Sequence, residues 1–153
     1  MSKKTPAGLI AQNKKARHYY ELLEFFEAGI VLNGSEIKSI RINGVNFRDS
    51  YVTFREGEAW LIGLHIPPYA NAGYVRPDPD RDRKLLLHGK EIANLSAKVE
   101  QKGLSLVPVN LHLSHGRVKV EIALGRGKKL HDQRDDLKNA AALRDAEREM
   151  HRF

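Results

Sequence analysis

The run Leu104 to Leu124 reads LSLVPVNLHLSHGRVKVEIAL. Apolar side chains recur at every second position on either side of Ser114, His115 and Gly116, as in a half-buried β-hairpin whose successive residues face opposite sides of a sheet. At Gly125 the alternation stops and GRGKKLHDQR, Gly125 to Arg134, opens a charged segment. Residues 125–153 carry eight Lys/Arg, six Asp/Glu and only Leu130, Leu137, Leu143, Met150 and Phe153 as large apolar groups. That is too little apolar surface to offset the entropy of ordering the segment alone. The expected organisation is a basic arm over 1–18, a folded body over 19–124 and a flexible tail over 125–153 that orders only on a partner.

Charge follows the same division. The net charge is +7, yet Lys3, Lys4, Lys14, Lys15 and Arg17 supply five cations and no acid before Tyr19, the tail has two cations in excess, and the body between is neutral. Basic ends on a neutral body suit a polyanion, nucleic acid more often than an anionic membrane face; improved solubility is the plainer alternative. The 153 residues are enough for one domain with a real core. There is no cysteine, which excludes disulfides and thiolate metal sites and fits a reducing compartment. No apolar run approaches the roughly 20 residues that cross a bilayer, and MSKKTPAGLIAQNKK lacks a signal-peptide core. A soluble cytoplasmic protein is expected, with no membrane partner.

In chain order, the first thirteen residues read as disordered, and Tyr19 to Leu32 is a first strand, too aromatic and β-branched for a surface helix. Asn33-Gly34 makes a turn, Ser35 reads as the N-cap of a short helix, SEIKSIR, and Asn43-Gly44 ends it. Ile37 and Ile40 face inward there, with Lys38 and Arg41 on another side. SYVTF and AWLIGLHI form a hairpin around Arg55 to Glu58. Pro67 to Arg83 contains four prolines, which exclude helix interior and central strand, so it reads as a long surface loop ending at Arg81, Arg83 and Lys84. From Leu85 a second helix is marked by Ile92, Leu95 and Val99, with Gly103 as its stop. The order β-α-β-β-loop-α-β-β predicts a mainly β chain: a closed antiparallel barrel of the oligonucleotide/oligosaccharide-binding type with two embedded helices and a basic C-terminal tail.

No catalytic constellation emerges. The seven histidines include no metal-ligand spacing, and His112 and His115, beside a hairpin turn, read as surface residues. A nucleophile elbow, a Walker loop and a dinucleotide fingerprint are absent. Glu56 and Glu58 lie at a hairpin tip with nothing to raise either pKa. A non-enzymatic protein without metal or cofactor is expected.

Longer runs carry a resemblance. NKKARHYYELLEFFEAGIVLNGSEIKSIR, DSYV, EAWLIGLHIPPY, DPDRDRKLLLHGKEI and GLSLVPVNLHLSHGRVKVEIALGRGKKLHDQR resemble the small protein B, or SsrA-binding, family of bacterial trans-translation, from about Ala11 to about Lys138. The resemblance implies an oligonucleotide-binding-type barrel that binds the tRNA-like part of transfer-messenger RNA, one copy per RNA, and escorts it to stalled ribosomes without catalysing a reaction. The family's RNA face maps onto Asn13, Lys14, Arg17, Glu27, Lys38, Arg41, Arg83 and Lys84. Glu27 comes from the resemblance alone; a strand carboxylate is otherwise solvated or structurally paired.

The tail extends this expectation. Gly125 and Gly127 would let the chain leave the last strand at any angle, so that Arg126, Lys128 and Lys129 reach ribosomal RNA phosphates. Asp132 and Asp135 favour the start of a docked helix, with Ala140 to Ala142 as its best formers. The resemblance places such a tail in the empty messenger channel near the decoding centre, with Arg126, Gly127, Lys128, Lys129, His131, Asp132, Arg134 and Lys138 as its contact residues. Gln133 stands where the family commonly has Lys, and Ala140 to Ala142 where it commonly has a large aromatic residue. A ribosomal or ribosome-assembly protein is the alternative that charge and pattern leave open.

Overall fold

Both halves of the 104–124 pattern form strands. In the computed structural model, which describes residues 8–69 and 77–128, Ser105–Ser114 and Arg117–Gly127 pair antiparallel around His115 and Gly116, at φ 52° and 75°. Two positive φ angles in a two-residue loop match the right-handed twist of the strands they join. The elements run β1 Leu9–Gln12, α1 Lys14–Tyr19, β2 Tyr20–Ile30, α2 Gly34–Asn43, β3 Tyr51–Arg55, β4 Glu58–Ile62, β5 Arg83–Leu86, α3 Gly89–Lys102, β6 Ser105–Ser114 and β7 Arg117–Gly127.

The strands form one antiparallel sheet in the order β1-β6-β7-β2-β5-β4-β3. Its inner face buries Ala28, Ile30, Leu61, Leu85, Leu106, Leu111, Val120, Ile122 and Leu124 against Ile40 of α2 and Leu95 of α3. Antiparallel mainly-β architecture is as expected, but the closed barrel is not: β3 curls towards β6, and no ladder joins them among the described residues. Three helices are described rather than two.

Further expectations change. Leu9–Gln12 is an edge strand on β6, and α1 follows it, so this part of the basic arm belongs to the folded body. The N-cap of α2 is Asn33, not Ser35: the Asn33 side chain accepts from the Glu36 amide at 3.0 Å and the Glu36 side chain accepts from the Asn33 amide at 3.1 Å, a reciprocal cap. Arg83–Leu86 is a strand between β2 and β4, where the expectation had the end of a loop and the approach to a helix. Finally, β7 continues to Gly127, with Gly125 opposite Leu22 and Gly127 opposite Tyr20. Neither glycine is a hinge. A Cβ on Gly125 would lie 3.0 Å from Tyr20 Cβ, so Gly125 is small because the neighbouring strand's tyrosine occupies that space.

Candidate RNA-binding face

Alternation along β2 sends Phe26, Ala28 and Ile30 into or against the core and puts Phe25, Glu27 and Gly29 on the outer face. Their partners on β7 are Ala123, Glu121 and Lys119. Beyond these on β6, Asn110 lies opposite Glu121 and His112 opposite Lys119. On the other side Gly29 faces Leu86 of β5, and a Cβ there would come 3.2 Å from Leu86 Cβ. Lys84 shares this face, two residues along, and its Nζ lies 3.0 Å from Glu58.

These residues line a groove. Glu27, Gly29, Lys84, Leu86, His88 and Lys119 border a cavity of about 650 Å³, and a neighbouring one of about 260 Å³ shares Gly29, Leu86 and Lys119 while adding Arg41 from α2. At the other end of β2 the Arg17 guanidinium sits 5.9 Å from the Phe25 ring centroid, a cation held over an aromatic face. From Phe25 to Gly29 the strand rises about 13 Å. Cations therefore flank a central carboxylate, and exposed Leu86 offers an apolar surface beside it. Arg17, Arg41 and Lys119 have no carboxylate partner among the described residues.

Not every expected residue reaches this face. Arg83 points inward and is fully buried, its Nη2 2.7 Å from Glu36 Oε2, so it does not meet phosphates. The resemblance assigns it to the RNA face together with Lys84, but consecutive strand residues face opposite ways. Asn13 is also buried: its amide Nδ2 donates to the Pro108 carbonyl at 2.8 Å and its backbone N–H to the Val109 carbonyl at 2.8 Å. It fills the bulge between Pro108 and Asn110 where the β6–β7 register shifts, and supports the face from behind. Lys14 is exposed at the start of α1. Exposed Lys38 lies with its Nζ 5.8 Å from the Tyr69 ring centroid.

Of the tail residues, Arg126 lies on β7 with Nη1 3.7 Å from Glu21, Gly127 pairs with Tyr20, and the Lys128 amide donates to Tyr19 O at 2.9 Å. Lys129, His131, Asp132, Arg134 and Lys138 lie outside the described residues, as do Gln133 and Ala140 to Ala142. No helix among those described is long and apolar enough to cross a membrane.

Electrostatics mark Glu36 and Arg83 as structural. Burial pushes the Glu36 carboxyl up, but hydrogen bonds from Arg81, the Asn33 amide and Arg83 outweigh it and leave it below the ordinary range. Burial lowers Arg83, and Glu36 opposes that shift. Exposed Asp80 is lowered chiefly by its hydrogen bond with His65.

The SmpB family model, described as SmpB protein, matches residues 10–152. The chain belongs to the SmpB family. A relative in Nitratidesulfovibrio vulgaris described as SsrA-binding protein is 66% identical over 154 residues, covering 100% of both chains. One in Oleidesulfovibrio alaskensis is 65% identical with 99% of each covered, and one in Nostoc punctiforme is 54% identical with 93% of this chain and 92% of that one. A solved chain described as "tmRNA-SmpB: a journey to the center of the bacterial ribosome" superposes with a TM-score of 0.66 at 49% identity, covering 78% of this chain and 85% of that one.

Within this SmpB-family body, sequence reading missed Lys119, Leu86 and His112. The signal for Lys119 was available, since RVKVEI places Lys119 and Glu121 at the polar alternates of the hairpin. His112 sits at such an alternate too, but it is buried rather than a surface residue, because β1 covers the outer edge of β6.

Proposed function

We propose that the outer face of β2, β5 and β7, with Arg17 and Arg41 at its ends, binds the tRNA-like part of transfer-messenger RNA and that the chain delivers this RNA to stalled ribosomes for trans-translation. The supporting observation is the gathering of Arg17, Glu27, Lys84, Lys119 and Arg41 on and around one sheet face. Cations there contact phosphates and fix position, while Glu27 accepts from a base N–H or a ribose 2′-hydroxyl, which phosphates cannot provide. SsrA-binding relatives, one of them 66% identical, and the tmRNA-SmpB structure support the same reading.

The sheet, with helices in its connections, serves as an oligonucleotide-binding-type scaffold. The protein acts in the cytoplasm by binding, one copy per RNA, and catalyses nothing. Beyond Lys128 the tail, through Lys129, His131, Asp132, Arg134 and Lys138, probes the empty messenger channel and decoding centre. Sequencing the RNA that co-purifies with the native protein tests the assignment. Recovery of a tRNA-like small RNA supports it, and ribosomal RNA alone would favour a ribosomal or assembly role instead.

A further inference from the structure

Glu27 is held by a row of polar side chains that crosses β2, β6 and β7. Asn110 Nδ2 lies 3.2 Å from Glu121 Oε1, and because a carboxylate only accepts, this contact turns the other end of the amide, Oδ1, towards His112. That oxygen lies 2.9 Å from His112 Nδ1 and also only accepts, so Nδ1 carries a hydrogen. The second ring nitrogen, Nε2, is 3.3 Å from Glu27 Oε2, again an acceptor. Both ring nitrogens face acceptors, and only the imidazolium donates to both.

The surroundings fit that arrangement. His112 is 5% exposed, whereas the Glu27 side chain is 54% exposed. The ring is thus fixed and the carboxylate is within reach of a ligand. Facing His112 are Glu27 from β2, Lys119 directly opposite on β7, Glu121 of β7 through Asn110, and from β1 only uncharged Leu9. Among the described residues, Glu27 Oε1 has no donor from the protein.

We propose that His112 is the positioning residue of the RNA face: it donates from Nε2 to Glu27 Oε2, holds the carboxylate in one rotamer and leaves Oε1 to accept from a base N–H or 2′-hydroxyl. The proposal rests on the reading of this face as RNA-binding. The imidazolium also offsets a negative charge that would otherwise repel the phosphate backbone. When His112 loses the Nε2 proton, two acceptors oppose each other and Glu27 is no longer held. RNA affinity therefore depends on His112 keeping both ring protons.

The test uses the full chain and a transcript of the tRNA-like part of transfer-messenger RNA. Filter binding is measured from about pH 5.5 to about 8.5 for wild type, His112→Gln, Glu27→Gln and the double variant Arg17→Ala/Arg41→Ala. Wild-type affinity should fall about tenfold or more across the range, as expected for loss of a charge-assisted contact. His112→Gln should be weak and flat at every pH. Glu27→Gln, whose amide can donate to the neutral ring, should also lose the pH dependence. Arg17→Ala/Arg41→Ala should be weaker but keep the wild-type profile. A His112→Gln protein that keeps the wild-type profile overturns the proposal, whether or not its affinity drops. Wild-type affinity in Arg17→Ala/Arg41→Ala instead overturns the RNA-face reading itself. Independently of any variant, long-range ¹H–¹⁵N spectra of the free protein at about pH 6 should show both His112 nitrogens protonated, and a neutral tautomer there contradicts the proposal.

Discussion

Arg83 and Glu36 form a buried ion pair, Nη2 to Oε2 at 2.7 Å, with side chains 0% and 2% exposed. Arg83 also donates from Nη1 to the Leu64 and Arg81 carbonyls at 2.6 and 3.1 Å, and from Nη2 to Pro79 O at 3.0 Å. Glu36 takes two further hydrogen bonds from Arg81, through Nε and Nη2, and caps α2. One pair thus ties β5 and the chain before it to the helix that carries Arg41. Glu36→Gln leaves the Arg83 charge buried without its carboxylate and should cost about 3–5 kcal/mol in urea unfolding, whereas Arg83→Met leaves Glu36 paired with Arg81 and should cost less. The slope of RNA affinity against log salt should stay near wild type in whatever protein remains folded.

Glu36, held by Arg81, the Asn33 amide and Arg83, also sets an acid limit. The folded carboxyl of Glu36 lies below its unfolded value, so its contribution is fully present above the unfolded range, about pH 4.3, and is lost as pH falls through the lower folded value. Wild-type stability should decline on acidification below about pH 4, and Glu36→Gln should show a shallower decline. Urea midpoints collected between about pH 3 and 7 check this.

The end of β7 makes a prediction about where the body stops. A chain cut after Lys128 keeps the pairing of Gly125–Gly127 with Tyr20–Leu22 and the Lys128 to Tyr19 hydrogen bond; a chain cut after Leu124 loses both. Only the first should melt near the full-length temperature. Gly125→Ala, with its added Cβ 3.0 Å from Tyr20, should cost about 1–3 kcal/mol. Gly127→Ala, whose added Cβ would lie no closer than 3.9 Å to Tyr20 Cε1, should stay within about 0.5 kcal/mol.

The tail should be separable from the RNA face. His131→Ala with Arg134→Ala is expected to leave binding to the tRNA-like RNA near wild type while tagging on messenger-free ribosomes collapses, since stacking and phosphate contacts there contribute about 1–3 kcal/mol each. Parallel filter-binding and peptide-transfer assays distinguish this from a single shared function.

The features legible in sequence were those whose determinants lie close together in the chain. The β6–β7 hairpin was visible because its alternation and its turn are contiguous, and α3 because Leu95 and its apolar neighbours repeat at helical spacing. Strand β1 is four residues long and gains its identity from pairing with β6, far along the chain. Strand β5 was hidden by Arg83, whose charge reads as surface until Glu36, 47 positions earlier, is brought against it. His112 was misplaced for the same reason, since its burial comes from β1 and its purpose from Glu27, 85 positions away. Parity along the strand separates Lys84 from Arg83, but only once both are known to lie in a strand.

The central claim is that the outer face of the sheet grips RNA phosphates, and salt dependence tests it most directly. Affinity for the tRNA-like RNA is measured against log salt for the full chain and for a triple variant, Arg17→Ala, Arg41→Ala and Lys119→Ala, which removes three cations that have no carboxylate partner among the described residues. Each lost phosphate contact should flatten the slope by about 0.7–0.9, or about 2–3 in total. A triple variant with weakened binding and a slope flatter by that amount is the predicted result, and a wild-type slope would contradict the account.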